Sequence, residues 1–144
     1  MTAELVLSAL YESDDTGRDV TAIAVTDQRI VAVGRAADRS PMVLVSSDAR
    51  HFEPCAAPRE GLCDVLAVGD SLWACGERGL LAVSRDGGER WQTIDSGTTG
   101  CLHALALGSD GAIWVAGEAG YAARVMGDVP RRIDIGVTAR LHGA

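Results

Sequence analysis

Four side chains near the middle of the chain are of the types that bind metal ions: His51, Cys55, Cys63 and Asp64. Zinc sites draw on imidazole, thiolate and carboxylate groups, and compact sites usually bring cysteines in as close pairs such as Cys-x-x-Cys. The cysteines here are too widely spaced to match such a pattern. We therefore expect no metal site and no cofactor, and we expect all four cysteines to be reduced thiols: Cys55, Cys63, Cys75 and Cys101.

A second group of polar residues has the chemistry of a tight turn. Residues 84–91 read Ser-Arg-Asp-Gly-Gly-Glu-Arg-Trp. The short side chains of Ser84 and Asp86 can accept hydrogen bonds from backbone N–H groups of the same turn. Gly87 and Gly88 permit a positive φ, and Trp91 is placed to cover the hairpin. We predict a structural role for these residues.

A weaker copy of this turn occurs earlier in the chain. It keeps Ser46, Asp48 and an aromatic residue, Phe52, but Ala49 and Arg50 stand where the later turn has glycines. Residues 125–128, in the corresponding place of the last third of the chain, have lost the pattern. The copies indicate an internal repeat.

Three segments share one wider pattern: 22–34, 65–76 and 104–117. Each has an apolar run, a polar turn and a second apolar run that ends in glycine, and these glycines are 42 and 41 residues apart. Repeats of this length built from short strands are typical of β-propeller blades. The first run of each repeat is apolar at successive positions, which requires a strand that is covered on both faces.

We therefore predict an all-β chain with about three four-stranded antiparallel propeller-type blades, a partial propeller completed by oligomerisation. Residues 1–19 are expected to form an N-terminal strand and an acidic linker. Residues 20–136 hold the three repeats, and residues 137–144 form a tail that is a candidate closing strand.

The turn at 84–91 resembles the Asp-box (BNR) motif of sialidase-like and photosystem-II-assembly-factor-like propellers, which is written SxDGGxxW. The second strands LWACG and IWVAG resemble the second strand of the same families. The resemblance covers about residues 20–135. It implies a propeller fold, and it implies that the Asp-box turn lies away from the ligand surface.

The sialidase side of this resemblance raises glycoside hydrolysis, which needs an arginine cluster, an acid and a nucleophile. Two of the arginines near strand ends, Arg85 and Arg90, belong to the Asp-box turn. The tyrosines Tyr11 and Tyr121 have no evident carboxylate partner. We expect no catalytic residues and no enzymatic activity.

In a propeller, loops from the second to the third strand share one face with the connections between blades. We expect this face to be the ligand surface. Thr21, Asp64 and His103 align at the start of the inner strands, and one interpretation is that Asp64 and His103 lie close enough to pair. We favour the other interpretation, in which these are solvated loop residues and a strand-capping aspartate. The candidate ligand-face residues are Arg35, Arg39, Asp64, Glu77, Arg78, His103 and Glu118.

Charge and hydropathy exclude some partners. The net charge is −7 and all 13 basic residues are arginine, so a nucleic-acid partner would be repelled. No apolar stretch is long enough to predict a transmembrane helix, and the N-terminus does not read as a secretory signal. We expect a cytoplasmic protein with no membrane partner.

The function expected is that of a non-enzymatic binding or scaffold module that presents loops to a protein partner. A glycan-binding module is the alternative, and a hydrolase-like protein comes third. Three blades leave two terminal apolar faces, which soluble monomers rarely expose. We expect a homodimer in which two arcs close a six-bladed ring, within the usual range of blade numbers, with a higher oligomer or another propeller protein as the alternative partner.

Overall fold

The computed structural model describes residues 19–133 of the chain and holds twelve β-strands there, without an α-helix in that range. The strands form three antiparallel sheets of four, each in chain order. Blade 1 consists of β1 (Asp19–Val25), β2 (Ile30–Arg35), β3 (Pro41–Ser46) and β4 (Glu53–Cys55). Blade 2 consists of β5 (Leu62–Val68), β6 (Ser71–Gly76), β7 (Leu81–Ser84) and β8 (Gln92–Thr93). Blade 3 consists of β9 (Leu102–Leu107), β10 (Ile113–Gly117), β11 (Ala122–Met126) and β12 (Val129–Arg132).

The predicted fold class is confirmed by these three sheets. Two single-turn 3-10 helices, Glu77–Gly79 and Glu118–Gly120, join β6 to β7 and β10 to β11. The predicted N-terminal strand with its acidic linker (1–19) falls, except for Asp19, outside the described residues, as does the candidate closing strand (137–144).

The sheets pack face to face in sequence order, with one apolar layer between each pair. Between blades 1 and 2, Val31 and Val33 of β2 pack against Leu62, Val65 and Leu72. A second layer between blades 2 and 3 is built around Trp73, Leu81, Leu105, Val115 and Tyr121. Blade 2 is therefore covered on both faces, which explains why its strands are apolar at successive positions.

Blade 1 has a third apolar layer on its face away from blade 2. It contains Ile30, Ala32, Met42 and Leu44, and all four are buried. Ile30 and Ala32 alternate along β2 with Val31 and Val33 of the first layer, because successive side chains of a strand point to opposite faces.

The glycine that ends each repeat is required by a close approach of two backbones. Gly76 and Gly117 are extended, with φ of −176° and −160°. A Cβ built on Gly76 would lie 1.8 Å from the carbonyl oxygen of Gly61, and one on Gly34 would lie 1.8 Å from that of Asp19. At Gly117 the carbonyl oxygen of Cys101 would be 2.5 Å away. The spacing of these glycines therefore marks where the second strand of each blade meets the start of its first, inner strand (β1, β5 or β9).

Replacing Gly76 by alanine should separate β6 from the start of β5. We expect a loss of about 1–3 kcal/mol in the free energy of unfolding, the range for an overpacked site, measured by urea denaturation. The control is Gly100→Ala, because a Cβ there would make only ordinary contacts, the nearest at 3.4 Å. Equal stability of the two variants would contradict the steric explanation.

Candidate binding face

The antiparallel order divides the loops between two faces of the molecule. We call connection face the side that holds the β2–β3, β6–β7 and β10–β11 loops and the segments between blades. We call turn face the opposite side, which holds the hairpins β1–β2 and β3–β4 and their equivalents in the other blades. Residues 36–40, 56–61, 77–80, 94–101 and 118–121 form the connection face.

Each inner strand begins with a β-bulge, and this corrects one expected alignment. In blade 1, Val20 pairs with Gly34 and Ala22 with Val33, so Thr21 is the extra residue. In the same way, Cys63 is the extra residue of the bulge in blade 2 and His103 is the extra residue in blade 3. Thr21 therefore aligns with Cys63 and His103, and the expected alignment of Asp64 with them is wrong by one position. The apolar pattern cannot show the shift, because a bulge adds a residue without changing the strand beyond it.

Asp64 joins the inner strands of blades 2 and 3. Its Oδ1 accepts a hydrogen bond from the Val65 N–H at 2.9 Å, and its Oδ2 accepts one from the Leu105 N–H at 2.8 Å. Thr21 forms a similar link between blades 1 and 2, since its hydroxyl donates to the Leu62 carbonyl at 3.0 Å. The contacts of Asp64 are those of a structural link between blades, whereas His103 has its Nε2 4.0 Å from Glu118 Oε1.

Removing the Asp64 carboxylate leaves the Leu105 N–H without its acceptor at the seam between blades. Asp64→Ala should lower the free energy of unfolding by about 1–3 kcal/mol, the cost of an unsatisfied partly buried group. The control is Asp70→Ala on the exposed β5–β6 turn, which should stay within about 0.5 kcal/mol of wild type. Thermal and urea melts measure both variants, and an Asp64→Ala variant with unaltered stability would contradict the structural role of this carboxylate.

The other candidate residues of the connection face are held in pairs of opposite charge. Arg35 of blade 1 forms an ion pair with Glu77 of blade 2, and this pair lies beside Gly61. Arg39 has a positive φ of 73° and its guanidinium lies 3.5 Å from Asp19. Glu118 accepts a long hydrogen bond of 3.4 Å from the Cys101 N–H. The arginines are thus distributed along the face.

Arg78, like Arg39, projects into solvent. It has a positive φ of 56°, its side chain is 80% exposed, and its Nε lies 3.8 Å from Glu60. Arg78 lines an open groove of about 290 Å³ on the connection face. The other groove residues are Arg59, Glu60, Gly79, Leu80, Thr93, Ile94, Asp95, Ser96 and Thr98.

The floor of this groove is fixed by buried hydrogen bonds. The Ser96 hydroxyl donates to the Gly79 carbonyl at 2.7 Å, and the Tyr121 hydroxyl donates to the Ser96 carbonyl at 2.6 Å. Burial raises the pKa of Tyr121, which keeps this hydroxyl a donor. Of the groove residues, only Arg78 is among the predicted ligand-face set, because Arg59, Asp95 and Ser96 lie in connections that carry no repeat pattern.

The turn formed by residues 84–91 of blade 2 lies on the turn face and has the hydrogen bonds that its side chains predict. The Ser84 hydroxyl donates to Asp86 at 2.8 Å and accepts from the Gly88 N–H at 2.9 Å. Asp86 also accepts from the Arg90 N–H at 2.9 Å. Gly87 and Gly88 have φ of 78° and 97°, and the Trp91 indole N–H donates to the Gly88 carbonyl at 3.1 Å.

The weaker copy in blade 1 has similar but tighter side-chain-to-backbone hydrogen bonds, without glycine. Ser46 accepts from the Ala49 N–H at 2.9 Å, and Ala49 takes the positive φ of 65°. Asp48 accepts from the N–H groups of Arg50 and His51, each at 2.8 Å. The imidazole and backbone of His51 and the N–H of Arg50 hold the pKa of Asp48 far below its usual range.

Arginines of the turn face link neighbouring blades. Arg29, in the β1–β2 turn, reaches the Asp86 and Gly87 carbonyls of blade 2 at 3.5 Å. Arg85 of blade 2 forms an ion pair with Asp128 of blade 3. These contacts give both arginines a place in the packing of the arc.

Asp86 should make the stability of the protein depend on pH. The Arg90 N–H and the Ser84 hydroxyl lower the pKa of Asp86 below its ordinary value of 3.8. A lowered folded-state pKa contributes stability that is present above 3.8 and is lost as the pH falls through the folded-state value. Asp86→Asn should therefore be less stable than wild type at neutral pH, and the difference should shrink on acidification.

Thermal melts at pH values from neutral to below 3.8 measure the effect, with Asp70→Asn as the control. A stability difference that does not change with pH would show that the Asp86 charge does not help to hold the turn.

The four cysteines are unpaired thiols. Burial raises the pKa of Cys63 and Cys55, and raises that of Cys75 well above the ordinary value. Within residues 19–133, no three His, Cys, Asp or Glu side chains are placed to share a metal ion. In the same region of the chain, no helix has the length and apolar character to cross a bilayer.

The fold and its loops define a propeller-type protein, and comparison with solved structures agrees. The chain is similar to "YCF48 bound to D1 peptide", with a TM-score of 0.64 and 14% identity over 88% of this chain and 42% of that one. It is also similar to YCF48 from Cyanidioschyzon merolae, with a TM-score of 0.63 and 21% identity over 83% of this chain and 38% of that one. The likeness is one of fold, and the chain spans less than half the length of either neighbour. No family model and no curated protein sequence matches it.

Proposed function

We propose that this chain is a non-enzymatic propeller-type module of the Asp-box kind that binds a protein partner through its connection face. The observation that carries the proposal is the open groove around Arg78. Its volume of about 290 Å³ is at the lower end for ligand sites and suits a few side chains of an extended segment. Arg59, Arg78 and Asp95 in its lining offer charges of both signs.

The structural neighbour with a bound D1 peptide supports a protein segment as the class of ligand. The rigid floor of the groove supports the same function, because a pre-formed site loses less entropy on binding. The exposed Arg78 guanidinium above it can form a bidentate hydrogen bond with a carboxylate or contact a backbone carbonyl.

The distribution of arginines supports a binding function over hydrolysis. Sialidase-like chemistry would need several guanidinium groups around one substrate carboxylate. Here Arg35 contacts Glu77, Arg85 contacts Asp128 and Arg29 contacts the Asp-box turn. Each links two blades, so the charges hold the arc together at separate points.

Glycan binding is the alternative to be tested. A tryptophan recurs at the same position of two repeats, as Trp73 and Trp114, and is the residue that would stack on a sugar. Trp73 is buried between blades 2 and 3, whereas Trp114 is only partly buried. A glycan site would therefore have to use Trp114 or another aromatic residue.

The test is selection of peptides from a random phage-displayed library by the wild-type chain, followed by affinity measurements on variants. Arg78→Glu should weaken the selected peptides about tenfold, as expected for the loss of a charged contact. The control is Arg90→Glu, an exposed arginine of the turn face, which should leave their affinity unchanged.

The opposite order of the two variants would place the binding surface on the turn face. Failure to select any peptide, together with binding on a glycan array, would replace the proposal by the glycan alternative.

The homodimer remains a prediction. Closing a ring with a second copy needs an exposed apolar surface at both ends of the arc. At the blade 1 end, Ile30, Ala32 and Leu44 are already buried within the chain. This burial weighs against the six-bladed ring and directs attention to the blade 3 end.

A further inference from the structure

One equivalent residue of the second strand reaches toward the next blade throughout the arc. It is Val31 in blade 1, Trp73 in blade 2 and Trp114 in blade 3, each three residues before the glycine that ends the repeat. Val31 is fully buried and Trp73 is 4% exposed, because the following blade packs on them. Trp114 is only partly buried. We call the sheet face that carries Trp114 the trailing face of blade 3.

The trailing face differs at one residue position from the faces by which blade 1 packs on blade 2 and blade 2 packs on blade 3. Arg124 of β11 is the cross-strand neighbour of Trp114. The equivalent neighbours in blades 1 and 2 are valines, Val45 opposite Val31 and Val83 opposite Trp73. A guanidinium therefore stands where the earlier blades place an apolar side chain against the next sheet.

A second guanidinium stands directly beside the first. Arg131 of β12 pairs with Arg124 in the strand register, so both side chains leave the same face of the sheet. Like charges in this arrangement destabilise a sheet. Asp110 forms an ion pair with Arg124, whereas Arg131 has no ion pair within residues 19–133. A further carboxylate at this point would relieve the repulsion.

The next cross-strand pair on this face is apolar and exposed. Met126 and Val129 are directly opposite each other, and they are 51% and 69% exposed. Together with Arg124 and Arg131 they line a groove of about 270 Å³. Two cationic groups thus lie next to an apolar strip.

The outer edge of blade 3 is a poor place for a partner strand. Pro130 lies in the middle of β12 and removes one backbone donor from this edge. Recognition at this end of the arc therefore depends on the side chains of the trailing face.

The charge of the trailing face indicates which kind of partner it binds. The chain as a whole has a net charge of −7, and the trailing face is a local basic site on it. A second copy docked by the same face would bring two Arg124–Arg131 pairs together, since a two-fold interface apposes identical patches. The face is complementary to an acidic surface instead.

We propose that the trailing face of blade 3 docks a segment of a partner protein that carries a carboxylate beside apolar side chains. The carboxylate is bound by the guanidinium groups of Arg124 and Arg131, a geometry that favours bidentate hydrogen bonds. The apolar side chains of the segment cover Met126, Val129 and Trp114. This surface is separate from the groove of the connection face.

The probe is a labelled extended peptide that alternates leucine and glutamate, compared with its leucine–glutamine counterpart. The acidic peptide should bind the full chain, and its counterpart should bind about tenfold more weakly, the loss of a charged hydrogen bond. Arg131→Gln should cause a similar loss, Arg131→Lys should restore some of the affinity, and Arg78→Gln on the connection face should have no effect. Binding should shift tryptophan emission in wild type and leave it unshifted in Trp114→Phe.

Thermal melts establish that each variant is folded. The proposal is overturned if the acidic peptide does not bind at millimolar concentration, or if Arg78→Gln weakens it as much as Arg131→Gln does. It is also overturned if native mass spectrometry finds a dimer and the Trp114 emission is already shifted before peptide is added. The occupant is then a second copy of this chain.

Discussion

Blades 1 and 2 have apolar side chains on both faces of their sheets, so each of them is stable only when both faces are covered. Val31 and Val33 lie against blade 2, and Trp73 lies against blade 3. The hydrophobic contribution of such layers grows with the apolar area removed from water. Sheet-to-sheet packing therefore holds the arc together, and the polar contacts adjust it.

The polar contacts divide between the two faces of the arc. On the turn face, Asp86 and Ser84 satisfy the backbone of a tight turn, and Arg85 links that turn to the next blade. On the connection face, Asp64 links inner strands while Arg78 stays exposed above a rigid floor. The connection face therefore offers an exposed arginine beside a groove for a ligand.

The ends of the arc are not equivalent. The face of blade 1 that points away from blade 2 is apolar and buried. The trailing face of blade 3 combines Trp114 and Met126 with two arginines. Arginines at an interface position reduce packing against an apolar sheet, because burying an unpaired guanidinium is costly. The two arginines make the trailing face more polar than the layers between the blades, and this polarity also defines the chemistry of a partner.

Much of the architecture could be predicted from the sequence because its signals are local. Successive apolar residues predicted strands covered on both sides, and the glycine spacing predicted the blades. The Ser84–Asp86 pair predicted a turn whose hydrogen bonds the structure contains. The site could be predicted only incompletely. Arg78 was identified from its place after a second strand, but Arg59 and Ser96 lie in connections without a repeat pattern.

The sequence by itself determined the number of blades in residues 19–133, their strand order and the turn chemistry, since each depends on neighbours along the chain. Only the tertiary structure decided how residues of different blades meet. The bulge at Cys63 places Asp64 one position beyond the residues that align with Thr21 and His103. Asp64 accepts a hydrogen bond from the Leu105 N–H of the next blade. Arg124 and Arg131 became a cationic pair through the register of two strands. Such contacts depend on register and packing, which the order of residue types along one strand does not specify.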